Sequence, residues 1–333
     1  MVELTPTGAF GDWVGWIGMR RILVSGAATW TGGQLVSRLE KQPDVDVIAV
    51  DELEPTVEFE SEVHEFTLDQ PEFAHFVLDA RPEAVVHLQT VDRSPLLGGR
   101  RAHEEAVVGA QALFGAIQRG DCFKHVIVKS DFSVYGMGPR HPSVVAEDTE
   151  LVETPDRYAR DLKAMEKYIS TTAAQRRDMT FTVLRFAPIF GANLLNPLSR
   201  YLRLPWVPTR LGYDPRLQFI SGYDAVRSIE HALDNPTPGT FNIAALGQLY
   251  LSRVLRLGNR LAQPLPRRAY DIAVKGMARA DLHLPSHVKR LVHHGLVTDT
   301  QRMSNVLNFE PVNNMRQTVL AGYGLTPDHA AQS

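Results

Sequence analysis

The chemistry-bearing residues that stand out first are a glycine-containing turn and a carboxylate beyond it. The turn reads Ser25-Gly26-Ala27-Ala28-Thr29-Trp30-Thr31-Gly32-Gly33 and links an apolar run to a helical pattern. At such a junction the N–H groups of the helix start can hold a pyrophosphate, and small residues let the backbone approach it. Gly26 and Gly32 lie six positions apart, with Thr29 midway where a third glycine is usual. Asp51 follows Gly26 by 25 residues and closes the next β-branched run. A carboxylate there can accept both hydroxyls of an adenosine ribose and would repel a 2′-phosphate. The acidic run after it offers no arginine to such a phosphate. NAD is therefore expected over NADP, with Gly26, Ala28, Thr29, Trp30, Thr31 and Gly32 around the phosphates. The alternative for Asp51 is a plain strand-end turn acid.

These residues need strands and helices to position them. Short apolar strands are expected at 21–25, 45–50, 63–66, 84–88, 125–128 and 181–186. Helical patterns fall at 32–41, 71–80, 102–119 and 155–174. Strands of this length alternating with helices mean βαβ units, a parallel sheet and right-handed crossovers. After Pro188 the pattern loosens: Pro197, Pro205, Pro208 and Pro215 are expected to break regular structure, and Phe241-Asn242-Ile243 to return as a strand. The expected division is an N-terminal extension over 1–18, disordered or packed as an arm, a nucleotide domain over 19–186, and a smaller substrate region over 187–333 that partly rejoins the sheet.

Composition narrows the class. The 333 residues are 44% hydrophobic and 22% charged, enough apolar content to bury a full core. A formal charge of -3 argues against a nucleic-acid binder. Charge is uneven: nine acids and no Lys or Arg lie between Asp51 and Glu72, whereas ten Lys or Arg face three Asp between Arg253 and Arg302. Solvated surface accounts for both runs; the basic one could also meet an anionic substrate or an acidic partner surface, with Arg185 and Arg216 the candidate ligand contacts or, alternatively, members of structural ion pairs. It holds one aromatic residue, Tyr270, too few for base stacking. No stretch reaches the length that spans a bilayer, and no membrane partner is expected. The lone Cys122 cannot form an internal disulfide, so a reducing cytoplasm is the expected setting. His283, His287, His293 and His294 contain an i, i+4 pair, but no Cys or acid completes a metal set; an amphipathic helix packing on the sheet is expected there.

Several segments, in order, resemble the extended short-chain dehydrogenase/reductases of the NAD-dependent epimerase/dehydratase group. They are Ser25-Gly26-Ala27-Ala28, Val86-His87-Leu88, Ser130 through Val134-Tyr135-Gly136, Glu147-Asp148, Val183 to Gly191, Phe219 to Ala225, and Thr240 to Ile243. Gln89 and Thr90 replace two alanines of the family pattern. The resemblance covers about residues 19–324. It implies an α/β, doubly wound Rossmann-type sheet of about seven parallel strands, NAD binding with Thr67, Leu68, Leu88, Gln89 and Thr90 also near the cofactor, and a homodimer.

The resemblance also implies a catalytic tyrosine with a lysine four residues later, whose charge helps the phenol exchange a proton. Tyr158 fits the tyrosine, but Leu162 stands at i+4 and Lys163 one residue late, about 100° further round a helix. Asp131 holds the usual serine position, flanked by Ser130 and Ser133. Three accounts stay open: a helix bulge that brings Lys163 under Tyr158; a rearranged site in which Asp131 is the base with Tyr158 or Ser133 as orienter; or a scaffold that binds NAD without hydride transfer. The implied function is an oxidoreductase acting on a hydroxyl-bearing, nucleotide-linked sugar. The alternative is a non-catalytic, redox-sensing NAD-binding protein.

Overall fold

The structure, a computed structural model, describes residues 19–89, 104–139, 141–142, 144–151, 153–279 and 282–326. The extension over 1–18 and its expected disorder lie outside the described residues, as does Thr90.

The first six strands are β1 (Arg20–Ser25), β2 (Val45–Asp51), β3 (Val63–Glu65), β4 (Ala84–His87), β5 (His125–Asp131) and β6 (Thr180–Phe186). Later come β7 (Trp206–Arg210), β8 (Arg216–Leu217), β9 (Gly239–Ile243), β10 (Leu249–Tyr250) and β11 (Leu261–Leu265). Seven of them form one sheet in the order β3-β2-β1-β4-β5-β6-β9, every neighbouring pair parallel. This is the doubly wound sheet that alternating strands and helices imply. Its central strands are buried along most of their length: all of Ala84–His87, and His125 to Val128 in β5. Continuous apolar runs, rather than alternating ones, are what a sheet covered by helices on both faces requires. Strand order reverses between β1 and β4, which opens a crevice outside their carboxyl ends.

Helices flank the sheet at Trp30–Leu39, Pro71–Ala80, Ala110–Arg119, Arg157–Gln175 and Gly222–Asp234. The first begins two residues before its expected start because Thr29 caps it. The prolines expected to break structure behave differently. Pro197 opens the helix Pro197–Leu202, where its missing N–H and fixed φ suit the first turn. Pro208 lies inside β7, which pairs only with β11 in a two-stranded ribbon and so tolerates a lost donor. The basic segment forms Arg267–Arg279 and Ser286–His294. The second of these leans on β7 and β8, beside the crevice, and not on the main sheet as its amphipathic pattern suggested.

His125, at the start of β5, is buried with Nε2 3.1 Å from Thr182 Oγ1. Burial, helped by the Arg20 charge, pushes its imidazole down to about 4. The unfolded chain takes up this proton near pH 6.5 and the folded chain only near 4, so the neutral ring's contribution is complete above 6.5 and is lost as pH falls through that window. Urea unfolding is expected to show a decline of about 3 kcal/mol between those limits, and His125→Gln to remove most of it.

Candidate functional site

The turn after β1 is built from the backbone outward. Gly26 has φ +88°, the left-handed region that favours glycine, and a Cβ there would press on the main chain of Leu88 and Gln89. A Cβ on Gly32 would stand 2.1 Å from the Gly26 carbonyl oxygen, so the helix starts as close to the strand as backbone allows. Thr29 takes the place of the middle glycine by doing a different job. Its hydroxyl donates to Gly26 O at 2.7 Å and accepts from Gly32 N at 3.0 Å, closing the turn as a helix N-cap. The N–H groups of Trp30 and Thr31 begin the helix, where no intrahelical acceptor exists. The Trp30 ring packs so tightly against Gly222 that a Cβ there would lie 2.4 Å from it.

Asp51 sits at the end of β2 as expected, but its carboxylate is fully buried. Oδ2 accepts from Ala28 N at 2.8 Å, and Oδ1 accepts from Glu52 N at 2.7 Å and Leu53 N at 3.0 Å. It holds the turn together and is absent from the cavity wall, where the spacing had placed it facing a ribose. Thr56 donates from its hydroxyl to Ala28 O at 2.9 Å, which folds the segment after β2 over the turn. Leu53, Glu54 and Thr56 thereby reach the wall in its place.

A cavity of about 530 Å³ runs from this turn across the strand ends. Ala28, Thr29, Trp30, Thr31 and Leu88 line one end. Lys129, Asp131, Phe132 and Ser133 line it after the turn, and His287 is also part of the wall. Residues i and i+2 of a strand share a face, so the end of β5 sends Lys129 and Asp131 into the cavity and Ser130 away from it. Ser130 donates to Glu166 Oε1 at 2.5 Å instead, so it is not one of the cavity residues. Asp131 Oδ1 accepts from Ser133 N at 2.6 Å and caps the short 3-10 turn Phe132–Tyr135.

Tyr158 and Lys163 are not among the lining residues. The helix Arg157–Gln175 is α-helical throughout, without the bulge that would restore an i+4 geometry; Leu162 at that position is 1% exposed. Lys163 is half-buried, and burial lowers its ammonium pKa despite the opposing Glu153 charge. What lies on the Tyr158 ring is His287, stacked at 4.2 Å with planes 28° apart. Asp156 arranges this: it caps Arg157–Gln175 by accepting from Tyr158 N at 3.1 Å, and it accepts from Ser286 Oγ at 2.7 Å.

Arg185, expected at the substrate, is buried beneath the site. Its Nη2 lies 2.6 Å from Glu166 Oε2, and its Nη1 donates to Tyr135 Oη at 2.9 Å. Burial opposes its charge, yet Glu166 more than compensates and holds it protonated above the ordinary value. Burial also pushes the Tyr135 phenol up to about 12, against the neighbouring Arg185, so Tyr135 keeps its proton and donates to Asn242 Oδ1 at 2.6 Å. Arg216, on β8, is not in the lining either. Thr67 and Leu68 follow β3 but do not line the cavity, and Leu68 is fully buried. Gln89 is buried with both amide atoms lacking a partner among the described residues.

Lys129 and the 53–56 segment were missed from sequence. Strand alternation past Val128 was the available signal for Lys129, since extending the strand by three residues puts it beside Asp131. No His, Cys, Asp or Glu cluster able to hold a metal occurs among the described residues. No helix among them is long and apolar enough to cross a membrane.

A parallel doubly wound sheet with a glycine-containing turn after β1 and a cavity at its switch point defines a Rossmann-type nucleotide-binding class. Within that class the chain belongs to the NAD dependent epimerase/dehydratase family, whose model matches residues 22–244. An uncharacterized protein of Mycobacterium tuberculosis (strain ATCC 25618 / H37Rv) is 32% identical over 320 residues, covering 92% of this chain and 85% of that one. Among solved structures, a UDP-glucuronic acid 4-epimerase from Bacillus cereus, in complex with NAD, has a TM-score of 0.70 at 17% identity, covering 94% of this chain and 99% of its own. The UDP-glucose 4-epimerase of Thermotoga maritima, with UDP-glucose, gives 0.68 at 19%, covering 92% and 98%.

Removal of the cap by Thr29→Ala is expected to lower stability by about 1 kcal/mol, and Thr29→Ser to restore it. Chemical denaturation of the two variants measures both.

Proposed function

We propose that the protein is an NAD-dependent oxidoreductase of the epimerase/dehydratase type, acting on a hydroxyl-bearing substrate with a rearranged set of proton-handling residues. One observation carries the reading: Asp131, Lys129 and Ser133 stand together on the wall of a cavity that begins at the Gly26–Gly32 turn.

The cofactor end fits NAD. The turn packs main chain closely at Gly26 and Gly32, and the Trp30 and Thr31 N–H groups supply donors at a helix start. Glu54 is the carboxylate on the wall beside the turn, which favours ribose hydroxyls and disfavours a 2′-phosphate. We assign it the ribose contact first expected of Asp51. When bound, NAD would supply reversible hydride acceptance.

The remaining chemistry belongs to this chain. Asp131 is the base that takes the proton of the substrate hydroxyl, with its carboxylate oriented by the Ser133 N–H. Lys129 shares its strand face and offsets the cost of a carboxylate within a largely apolar cavity. The Ser133 hydroxyl is the orienting group for the substrate oxygen. His287, stacked on the Tyr158 ring, also lines the cavity. Ser130 acts through Glu166 as a positioning residue only, and the Arg157–Gln175 helix offers Tyr158 no lysine at i+4.

That last point favours a second reading, a protein that binds NAD without turnover. The two separate on one pair of measurements. Calorimetry with NAD is expected to show saturable binding, weakened about tenfold by Glu54→Ala, as befits loss of one charge-assisted hydrogen bond. With a substrate in hand, Asp131→Asn is expected to reduce kcat by about 100-fold or more while leaving NAD affinity intact. Absence of NAD binding removes both readings; nicotinamide absorbance that never changes with any alcohol or ketone leaves the second.

A further inference from the structure

Residues 253–281 carry seven Lys or Arg against two Asp and no Glu, in a chain whose formal charge is -3. The helix Leu251–Leu257, the strand β11 and the helix Arg267–Arg279 follow one another through this stretch and pack together. Within Arg267–Arg279 the buried side chains are Tyr270 and Val274, and Met277 is half-buried. At 3.6 residues per turn Arg268, Ile272, Lys275 and Arg279 fall on the opposite face, as a single stripe about 16 Å long. All four are exposed, and Ile272, at 71%, has a cation before it and two after it along the stripe.

The ribbon of β7 and β11 adds hydrocarbon to this charge. Leu261 to Pro264 are exposed at four successive positions, so neither face of β11 is fully covered. Leu261 is 63% exposed, and its register partner on β7, Trp206, is 66% exposed. At the far end of the ribbon Leu211 donates its N–H to Leu265 O at 2.9 Å and, like Tyr213, keeps its side chain exposed. The Arg210 guanidinium lies 4.6 Å from the centre of the Tyr213 ring. β11 runs into Arg267–Arg279 through Pro266, whose carbonyl accepts from Tyr270 N at 2.9 Å, so the apolar ribbon and the cationic stripe adjoin.

Exposed apolar side chains rimmed by charge mark an interaction surface. The chemistry here favours lipid over a protein strand. Pro264 takes a donor out of β11, which blunts it as a template for another strand. Tryptophan and tyrosine suit the headgroup layer, where an apolar ring and a polar tip are both satisfied. Arginine and lysine stems lie along hydrocarbon while their charges reach lipid phosphates.

We propose that the β7–β11 ribbon and the outer stripe of Arg267–Arg279 dock the protein on an anionic phospholipid surface. Trp206, Leu261 and Ile272 enter the headgroup layer, and Arg268, Lys275 and Arg279 pair with lipid phosphates. The length argument against a bilayer span does not bear on such a surface contact. The docking is independent of NAD and of the reaction in the cavity.

The full chain is sedimented with vesicles of phosphatidylcholine and with vesicles that also contain phosphatidylglycerol. Binding to the anionic vesicles alone is expected, and high salt is expected to abolish it in the unaltered chain. Combining Arg268→Glu, Lys275→Glu and Arg279→Glu is expected to weaken it at least about tenfold, as is combining Trp206→Ser with Leu261→Ser. All five positions are exposed, and an unchanged melting temperature shows that the variants fold. Binding to neither vesicle, equal binding to both, or binding indifferent to salt or to either set of substitutions overturns the proposal. So does light scattering that shows a dimer, dissociated by the charge reversal, in a chain that leaves both vesicles unbound; the face then belongs to a second copy.

Discussion

The buried carboxylate of Asp51 is the constraint on which the cofactor end of the cavity depends. A carboxylate at zero exposure is costly unless hydrogen-bonded, and here three main-chain N–H groups, from Ala28, Glu52 and Leu53, meet it. Those bonds tie the end of β2 to the turn after β1. With the turn fixed, Thr29 can cap the helix, Gly32 can approach Gly26, and Trp30 is delivered to the wall. The same residue type that a spacing rule assigns to ligand binding here builds the place where a ligand would sit. The exposed Glu54, three residues on, carries negative charge to the wall.

A comparable division of labour marks the other end. Two layers of polar side chains lie on either side of β5. On the inner side Ser130, Glu166, Arg185, Tyr135 and Asn242 form a closed network whose members satisfy one another. On the other side Lys129, Asp131 and Ser133 line the cavity. The alternation of one strand separates a structural set from a candidate reactive set, and a single step in register would exchange them.

The sheet was legible in the sequence because buried parallel strands read as short, continuous apolar runs. The positions of β1, β2, β4, β5, β6 and β9 all follow from them. Strand ends were less legible: β5 continues through Lys129 and Asp131, polar residues that no apolar run could announce. Beyond residue 187 proline was a poor guide, because Pro197 starts a helix and Pro208 sits in a ribbon. The site was legible only in part. The structure brings Asp131 and Ser133 together on the cavity wall, whereas Arg185 takes its alternative reading, a structural ion pair, with a Glu166 that lies in a helix 19 residues earlier, a distance only folding shows. The i+4 rule identified Leu162 as an anomaly, but it could not reveal His287 as the group on the Tyr158 ring.

The contact of Ser286 with Asp156 joins chain segments separated by 130 positions. A growing polypeptide emerging from the ribosome can assemble β1 through β6 and their helices while the wall holding His287, Val288 and Leu291 has not yet been synthesised. Until that segment arrives, the apolar lining beside Phe186 and Ile189 faces water. The nascent molecule thus passes through an interval in which this aliphatic surface lies bare, and a chaperone that recognises such surface would find a target there.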